Sequence, residues 1–334
     1  MYIKSISYYL PETVLTNNKI NQDFPEWDIE KISSKTGIQN RFVSANDEFS
    51  SDMAYKAAEL LFQEYNINRE SIDFLLLCTQ SPDYFLPTTA CILQDKLKLK
   101  TSIGALDFNL GCSGYVYGLG IAKGIISSGL AQNVLLITSE TYSKFIHPKD
   151  KSNKTIFGDA AAATLISSSE GIFEIGDFVF GTDGSGAENL IVRNGGLRYP
   201  FKQGEDKTDD FGNVHNDNNL FMNGSEIFNF TIESVPKLIN SILEKNKMIL
   251  SDIDLFVFHQ ANQYMLNHLR KKIGINESKF YISLKNTGNT VSSTIPIALY
   301  EALKENKFEN TTNVILAGFG VGYSWGACNL IVSQ

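Results

Sequence analysis

Four short, unbroken apolar runs stand out along this chain: 74–77 (FLLL), 134–137 (VLLI), 255–258 (LFVF) and 314–317 (VILA). A strand with one wet face would alternate apolar and polar residues, so continuous runs of this length predict β-strands covered on both faces. Other stretches carry apolar residues at helical spacing, among them AYKAAELLFQEY at 54–65 and VPKLINSILEK at 235–245. Both helical stretches lead through a short polar connector and an Ile-Asp pair into an apolar run, NINRESIDFLLLCTQ in one case and NKMILSDIDLFVFHQ in the other.

The order of elements repeats. Asp73 and Asp254 align at an offset of 181 residues, and Val134 (AQNVLLITS) and Val314 (TTNVILAGF) at 180. Two anchors at nearly one offset, with matching elements between them, predict a duplicated chain. Its halves are residues 1–170 and 171–334, with the boundary at 168–171. Buried strands alternating with helices imply a layered α/β fold in which the halves share an interface. The stretch 181–219, with its GTDGSG and HNDNN clusters, reads as loop and turns.

Composition narrows the class. The 334 residues are 43% hydrophobic and 20% charged, ordinary globular usage, and the net charge of −8 offers no broad basic surface for nucleic acid. The first ten residues lack the apolar core of a secretory signal, and no apolar run reaches the ~18 residues of a membrane span. Cys78, Cys91, Cys112 and Cys328 are scattered without metal-ligand spacing, so a reduced, cytoplasmic protein without metal or cofactor is expected.

Reactive groups in α/β sheets gather beyond the carboxyl ends of strands. Four such places carry candidate chemistry. In ALDFNLGCSGYVYGLG (105–120) an apolar strand ends in a Gly-Cys-Ser-Gly turn that opens a helix. Cys112 there feels the positive end of the helix dipole, which favours a thiolate, and the flanking glycines leave a substrate room to approach. A buried cysteine is by itself an inert small hydrophobe; that is the reading given to Cys78, Cys91 and Cys328. In FVFHQAN (256–262) His259 ends a strand beside amides able to orient it, whereas His147, His215 and His268 read as loop or surface residues. In LKNTGNTVSSTIP (284–296) Ser292 lies 180 residues after Cys112, so this turn duplicates the cysteine turn and faces it. Asn289 at that helix mouth can donate to an oxyanion or enolate and cannot act as a base. In GFGVGYSWG (318–326) no helix follows, as a dinucleotide loop would require. A backbone wall with an N–H for an oxyanion is expected there instead.

Together these segments, with KTGIQNRFVS (35–44), LPTTACILQDKL (86–97), FGDAAAATLI (157–166) and GNTVSSTIPIAL (288–299), resemble the β-ketoacyl-acyl-carrier-protein (ACP) synthase III family of the thiolase-like superfamily, over nearly the full length. The resemblance implies an αβαβα layered fold and a symmetric homodimer. It implies that Cys112 takes an acyl group from acyl-CoA or acyl-ACP. Malonyl-ACP then loses carbon dioxide to give an enolate held by His259 and Asn289, and that enolate attacks acyl-Cys112. The oxyanion hole is implied to be the backbone N–H of Cys112 and of Val321. Arg270, Lys271 and Lys272, on the helix after HQAN, are implied to receive the acidic ACP.

Two departures bear on substrate choice. Family members that use coenzyme A often carry a Trp shortly before the TGI motif; Lys31 or Glu30 stands in that place, Trp27 lies further off, and Lys151 replaces a clamping Arg. An acyl-ACP or an unusual acyl-CoA is therefore expected over acetyl-CoA. In YFLPTT (84–89) Leu86 takes the place of the Phe that the family's dimer partner inserts into the acyl pocket, with Phe85 beside it. The rival activities are acyl transfer to an oxygen, nitrogen or sulfur acceptor without condensation, a thiolase, a thioester hydrolase and a non-catalytic partner subunit. A thiolase needs a second reactive cysteine, and a partner subunit would lack the nucleophile.

Overall fold

The computed structural model describes residues 1–202, 204–210 and 212–333. Ten strands form its main sheet: β1 (Tyr2–Tyr9), β2 (Phe74–Cys78), β3 (Gly104–Phe108), β4 (Asn133–Glu140), β5 (Ala160–Ser167), β6 (Phe173–Thr182), β7 (Leu255–Phe258), β8 (Phe280–Tyr281), β9 (Asn313–Gly320) and β10 (Ser324–Val332). Their order is β3-β2-β4-β5-β1-β6-β10-β9-β7-β8. Strands before residue 170 fill one side and those after it the other, in mirrored sequence. The two sides meet through only two residue pairs, Tyr2 with Glu174 and Ile3 with Phe173, so the sheet is close to two five-stranded sheets.

Strand alternation explains the layers. Leu75, Leu77, Leu135 and Ile137 face outward onto α1 (Ser50–Glu64) and α2 (Thr89–Lys96). Their neighbours Leu76, Val134 and Leu136 point the other way, onto α3 (Gly114–Ser127). In the second half Phe256, Phe258, Ile315 and Ala317 face α4 (Gly224–Lys245) and α5 (Gln263–Ile273). Val257, Val314 and Leu316 face α6 (Thr294–Lys304), which shares the central core with α3. This is the αβαβα arrangement, and it accounts for the unbroken apolar runs, since each strand has an apolar layer on both faces.

Some local expectations change. The helix read at 235–245 begins at Gly224; it runs through Pro236, and Asn223 caps it by accepting the N–H of Glu226. The stretch 181–219 is not all loop. Leu190–Val192 pairs with Leu220–Met222, and Lys207–Thr208 with Val214–His215, ladders too short to leave a periodic signal. Cys91 is exposed rather than core, because α2 turns Ala90 and Leu93 inward. Among the described residues no helix is long and apolar enough to cross a membrane.

Candidate active site

The two central helices bring the chemistry together, because each begins beyond the carboxyl ends of the parallel strands. Cys112 occupies a tight turn closed by Gly114 N–H donating to Gly111 O at 2.8 Å, immediately before α3. The flanking glycines serve packing more than access. A side chain at Gly111 would meet Gln80, and one at Gly114 would meet Cys78. From the other half, β9 lies against the cysteine: a Cβ at Gly320 would stand 2.9 Å from both Cβ and Sγ of Cys112. The glycines of 318–326 thus allow the close approach of the two halves.

The backbone N–H groups of Cys112 and Val321 both bear on the thiol and favour its ionisation, which places both expected oxyanion donors beside the sulfur. Burial outweighs them. Together with the nearby Glu140 carboxyl it pushes the Cys112 thiol up to about 12, so the resting site holds a neutral thiol, not the thiolate anticipated from the helix dipole. Around it lie Tyr142, Phe157, Leu190, Leu220 and Val291, an apolar wall suited to an acyl chain. A cavity of ≈ 460 Å³ lined by Asp150, Asn153, His215, Leu220 and Met222 adjoins this wall through Leu220.

His259 ends β7, where its N–H donates to Ala317 O at 2.8 Å. Its ring stands edge-on to Phe319, and Nδ1 lies 2.7 Å from Thr294 Oγ1. Burial pulls the imidazole down to about 3, so it is neutral at physiological pH. Asn289 is bolted to the first half: its N–H donates to Ile156 O at 2.9 Å, and its O accepts from Gly158 N–H at 3.0 Å. Its Oδ1 accepts the N–H of Val291 at 2.9 Å, which fixes the amide and leaves Nδ2 as the donor for a ligand. Val291 reaches this position with φ of +56°, a left-handed conformation that costs a β-branched residue on the order of 1–3 kcal/mol. Strain stored beside Asn289 shows how strongly the surroundings determine this turn.

Sequence reasoning missed Glu140, the residue that ends β4. It is fully buried; Oε1 accepts from Ser292 Oγ at 2.7 Å and Oε2 from Gln80 N–H at 3.0 Å. Ser292 duplicates Cys112, so Glu140 joins the two halves at their shared axis. Burial, reinforced by Asp159, pushes the Glu140 carboxyl up to about 8. The available signal was a charged residue ending a strand, NVLLITSE, that otherwise carries no charge.

The remaining expectations fall differently. The Arg270 side chain is 13% exposed and serves its own helix end, donating to Ile275 O at 3.3 Å and to Glu277 at 3.1 Å; Lys271 and Lys272 face solvent. Phe85 and Leu86, at 77% and 82% exposure, point away from their own chain and outside the apolar wall around Cys112. Trp27 is nearer than residue counting implies. The Lys151 ammonium lies 5.3 Å from its ring centroid and pairs with Glu26 at 3.0 Å, so ring face and cation are already engaged with each other.

Comparison with known proteins agrees with this geometry. A profile of the family described as 3-oxoacyl-[acyl-carrier-protein (ACP)] synthase III matches residues 106–184, and one of its C-terminal region matches 243–331. The chain is 38% identical over 319 residues to a beta-ketoacyl-[acyl-carrier-protein] synthase III of Clostridium perfringens, covering 96% of this chain and 95% of that protein. It is 35% identical over 329 residues to the protein of that name from Lactococcus lactis, covering 97% of each. A crystal structure of a 3-oxoacyl-(acyl-carrier-protein) synthase III superposes with a TM-score of 0.96 at 47% identity, covering 99% of both chains. That of the Aquifex aeolicus enzyme superposes at 0.84 and 32% identity, again covering 99% of both. The chain therefore belongs to the β-ketoacyl-ACP synthase III family.

Proposed function

We propose that this protein is an acyltransferase that starts fatty-acid synthesis, condensing an acyl thioester with malonyl-ACP through an acyl-Cys112 intermediate. The observation that carries the reading is the place of Val291: it lies in the apolar cluster with Cys112, its N–H holds Asn289 and its backbone bears on the His259 ring, so a thiol flanked by two backbone N–H groups shares one buried region with two neutral polar side chains. The Cys112 thiol attacks the thioester carbonyl, the oxyanion sits at the N–H groups of Cys112 and Val321, and the departing thiol carries the proton away. In the second half-reaction the malonyl carboxylate leaves as carbon dioxide. Nδ2 of Asn289 and a ring N–H of His259 hold the enolate oxygen. The enolate carbon attacks the acyl-Cys112 carbonyl, and collapse frees a β-ketoacyl-ACP and expels the Cys112 thiolate, which takes a proton from solvent to restore the resting thiol. The reaction as proposed needs no metal or cofactor besides its thioester substrates.

Lys271 and Lys272 form the proposed ACP-docking pair, cationic on a chain of net charge −8, with Arg270 holding the helix end behind them. A homodimer is proposed on the exposed edge of the sheet at β3, where Leu106 is 45% exposed, and on the outward Tyr84, Phe85 and Leu86. Phe85 and Leu86 would then border the partner's acyl pocket. Four free cysteines fit a reducing, cytoplasmic setting. The donor, acyl-ACP or acyl-CoA, is an outcome of the assay. Carbon dioxide release from malonyl-ACP, dependent on Cys112 acylation and lost in Asn289→Ala, tests the condensation. Acyl transfer to an added alcohol, amine or thiol without carbon dioxide would overturn it.

A further inference from the structure

We infer that Thr294 is a positioning residue: its hydroxyl donates to Nδ1 of His259 and so keeps the ring proton on Nε2, the nitrogen left to face the substrate. The inference rests on the reading of His259 as an enolate donor.

The geometry leaves few choices. Thr294 Oγ1 lies 2.7 Å from Nδ1 and 3.0 Å from Val291 O, but it has one proton for two takers. Val291 O already accepts the backbone N–H of Thr294 where the short helix Val291–Ser293 ends, so it does not depend on the hydroxyl. Nδ1 has no second donor: Thr294 is the side chain bonded to it, and the Val291 backbone, which also bears on the ring, can only accept a ring proton. The proton is best used on Nδ1, which is also the shorter contact.

A buried, neutral imidazole carries one ring proton. If Nδ1 accepts, that proton is on Nε2. With Nδ1 turned to Thr294, Nε2 is the ring nitrogen left for a ligand, and His259 itself is only 2% exposed. The opposite tautomer would send an Nδ1 proton toward Thr294 and the Val291 carbonyl. It would aim a lone pair at the enolate oxygen, converting an attraction into a repulsion. The placement of Thr294, at the first residue of α6, ties this proton to the same turn that fixes Asn289 through Val291 N–H. One turn thus sets the donor atom of both enolate-binding side chains.

Thr294→Val removes the hydroxyl at nearly constant volume, and Val291 O remains as an acceptor for a proton on Nδ1. The expected result is a switch to the Nδ1–H tautomer and a fall in malonyl decarboxylation of about 10²-fold, the scale for losing one oxyanion-type donor. Acylation of Cys112 persists, and Thr294→Ser restores decarboxylation. The chain has four histidines, so 15N-histidine labelling of the full-length protein resolves the His259 ring nitrogens directly, with His259→Ala supplying the assignment. A protonated Nε2 in the unsubstituted protein, lost in Thr294→Val and regained in Thr294→Ser, supports the inference. A protonated Nδ1 in the unsubstituted protein, or an unchanged Nε2–H in Thr294→Val, overturns it whatever the activity. Decarboxylation undiminished in His259→Ala would instead overturn the donor role of His259, leaving the tautomer readout to stand by itself.

Discussion

Replacing Glu140 by Gln separates the electrostatic cost of this buried acid from its hydrogen bonds. The carboxyl moves from an ordinary 4.5 to about 8 on folding, driven first by burial and then by the neighbouring Asp159. The native protein holds the proton over a range in which the unfolded chain has released it. It therefore binds more protons than the unfolded chain, and stability falls as pH rises between those two values. At 1.36 kcal/mol per pKa unit, the loss from this group between about pH 6 and pH 8 is about 2 kcal/mol. The amide of Gln can still accept from Ser292 Oγ, but its NH₂ meets the Gln80 N–H, a pH-independent cost of about 1–3 kcal/mol. The slope, not the level, is the diagnostic. Asp159 and Asp150 are also raised by burial and add slope of their own, so the variant is compared with the unsubstituted chain. Denaturant titrations at the two pH values should show the unsubstituted protein losing about 2 kcal/mol more than Glu140→Gln. Because the Glu140 charge also holds the Cys112 thiol up, the acylation profile of the variant should shift to lower pH. Equal slopes in the two proteins would refute the argument, and would mean that the donors from Ser292 and Gln80 keep Glu140 ionised.

Other outcomes follow from single contacts. Gly320→Ala puts a methyl 2.9 Å from Cys112 Sγ, so acylation should fall by orders of magnitude while circular dichroism stays native. Asn289→Ala removes one enolate donor, and carbon dioxide release from malonyl-ACP should drop about 10²–10³-fold with acyl-Cys112 formation retained. Under native conditions a thiol reagent should label Cys91 quickly and Cys78, Cys112 and Cys328 slowly, because only Cys91 is exposed; peptide mapping reads the order. Leu106→Lys places a charge on the open sheet edge, and sedimentation should report a monomer if β3 carries the dimer contact.

Sequence pattern disclosed the architecture because duplication and two-sided burial leave strong, local marks. An unbroken FLLL or VLLI needs an apolar layer above and below, and the halves repeat at one offset. Cys112 and His259 are candidates in the sequence because each follows a strand end, and Asn289 because its turn duplicates that of Cys112. The site was not legible where function depends on residues far apart in the chain. Glu140 reads as the polar end of a strand until folding sets it against Ser292, 152 residues later. Thr294 reads as a residue at the start of a helix until Nδ1 of His259 lies beside it. Arg270 looks like a free cation because sequence does not reveal that its guanidinium turns back to Ile275 and Glu277. The Cys112 thiolate was anticipated from the helix dipole alone; the burial that opposes it is a property of the assembled halves.

The most direct test of the account is the intact mass of the protein after mixing with acyl-CoA and acyl-ACP donors, beside Cys112→Ala. The account predicts one acyl group gained by the unsubstituted chain, none by the variant, and loss of the adduct when malonyl-ACP is added. An adduct that persists in Cys112→Ala, or no adduct with any donor, would contradict it.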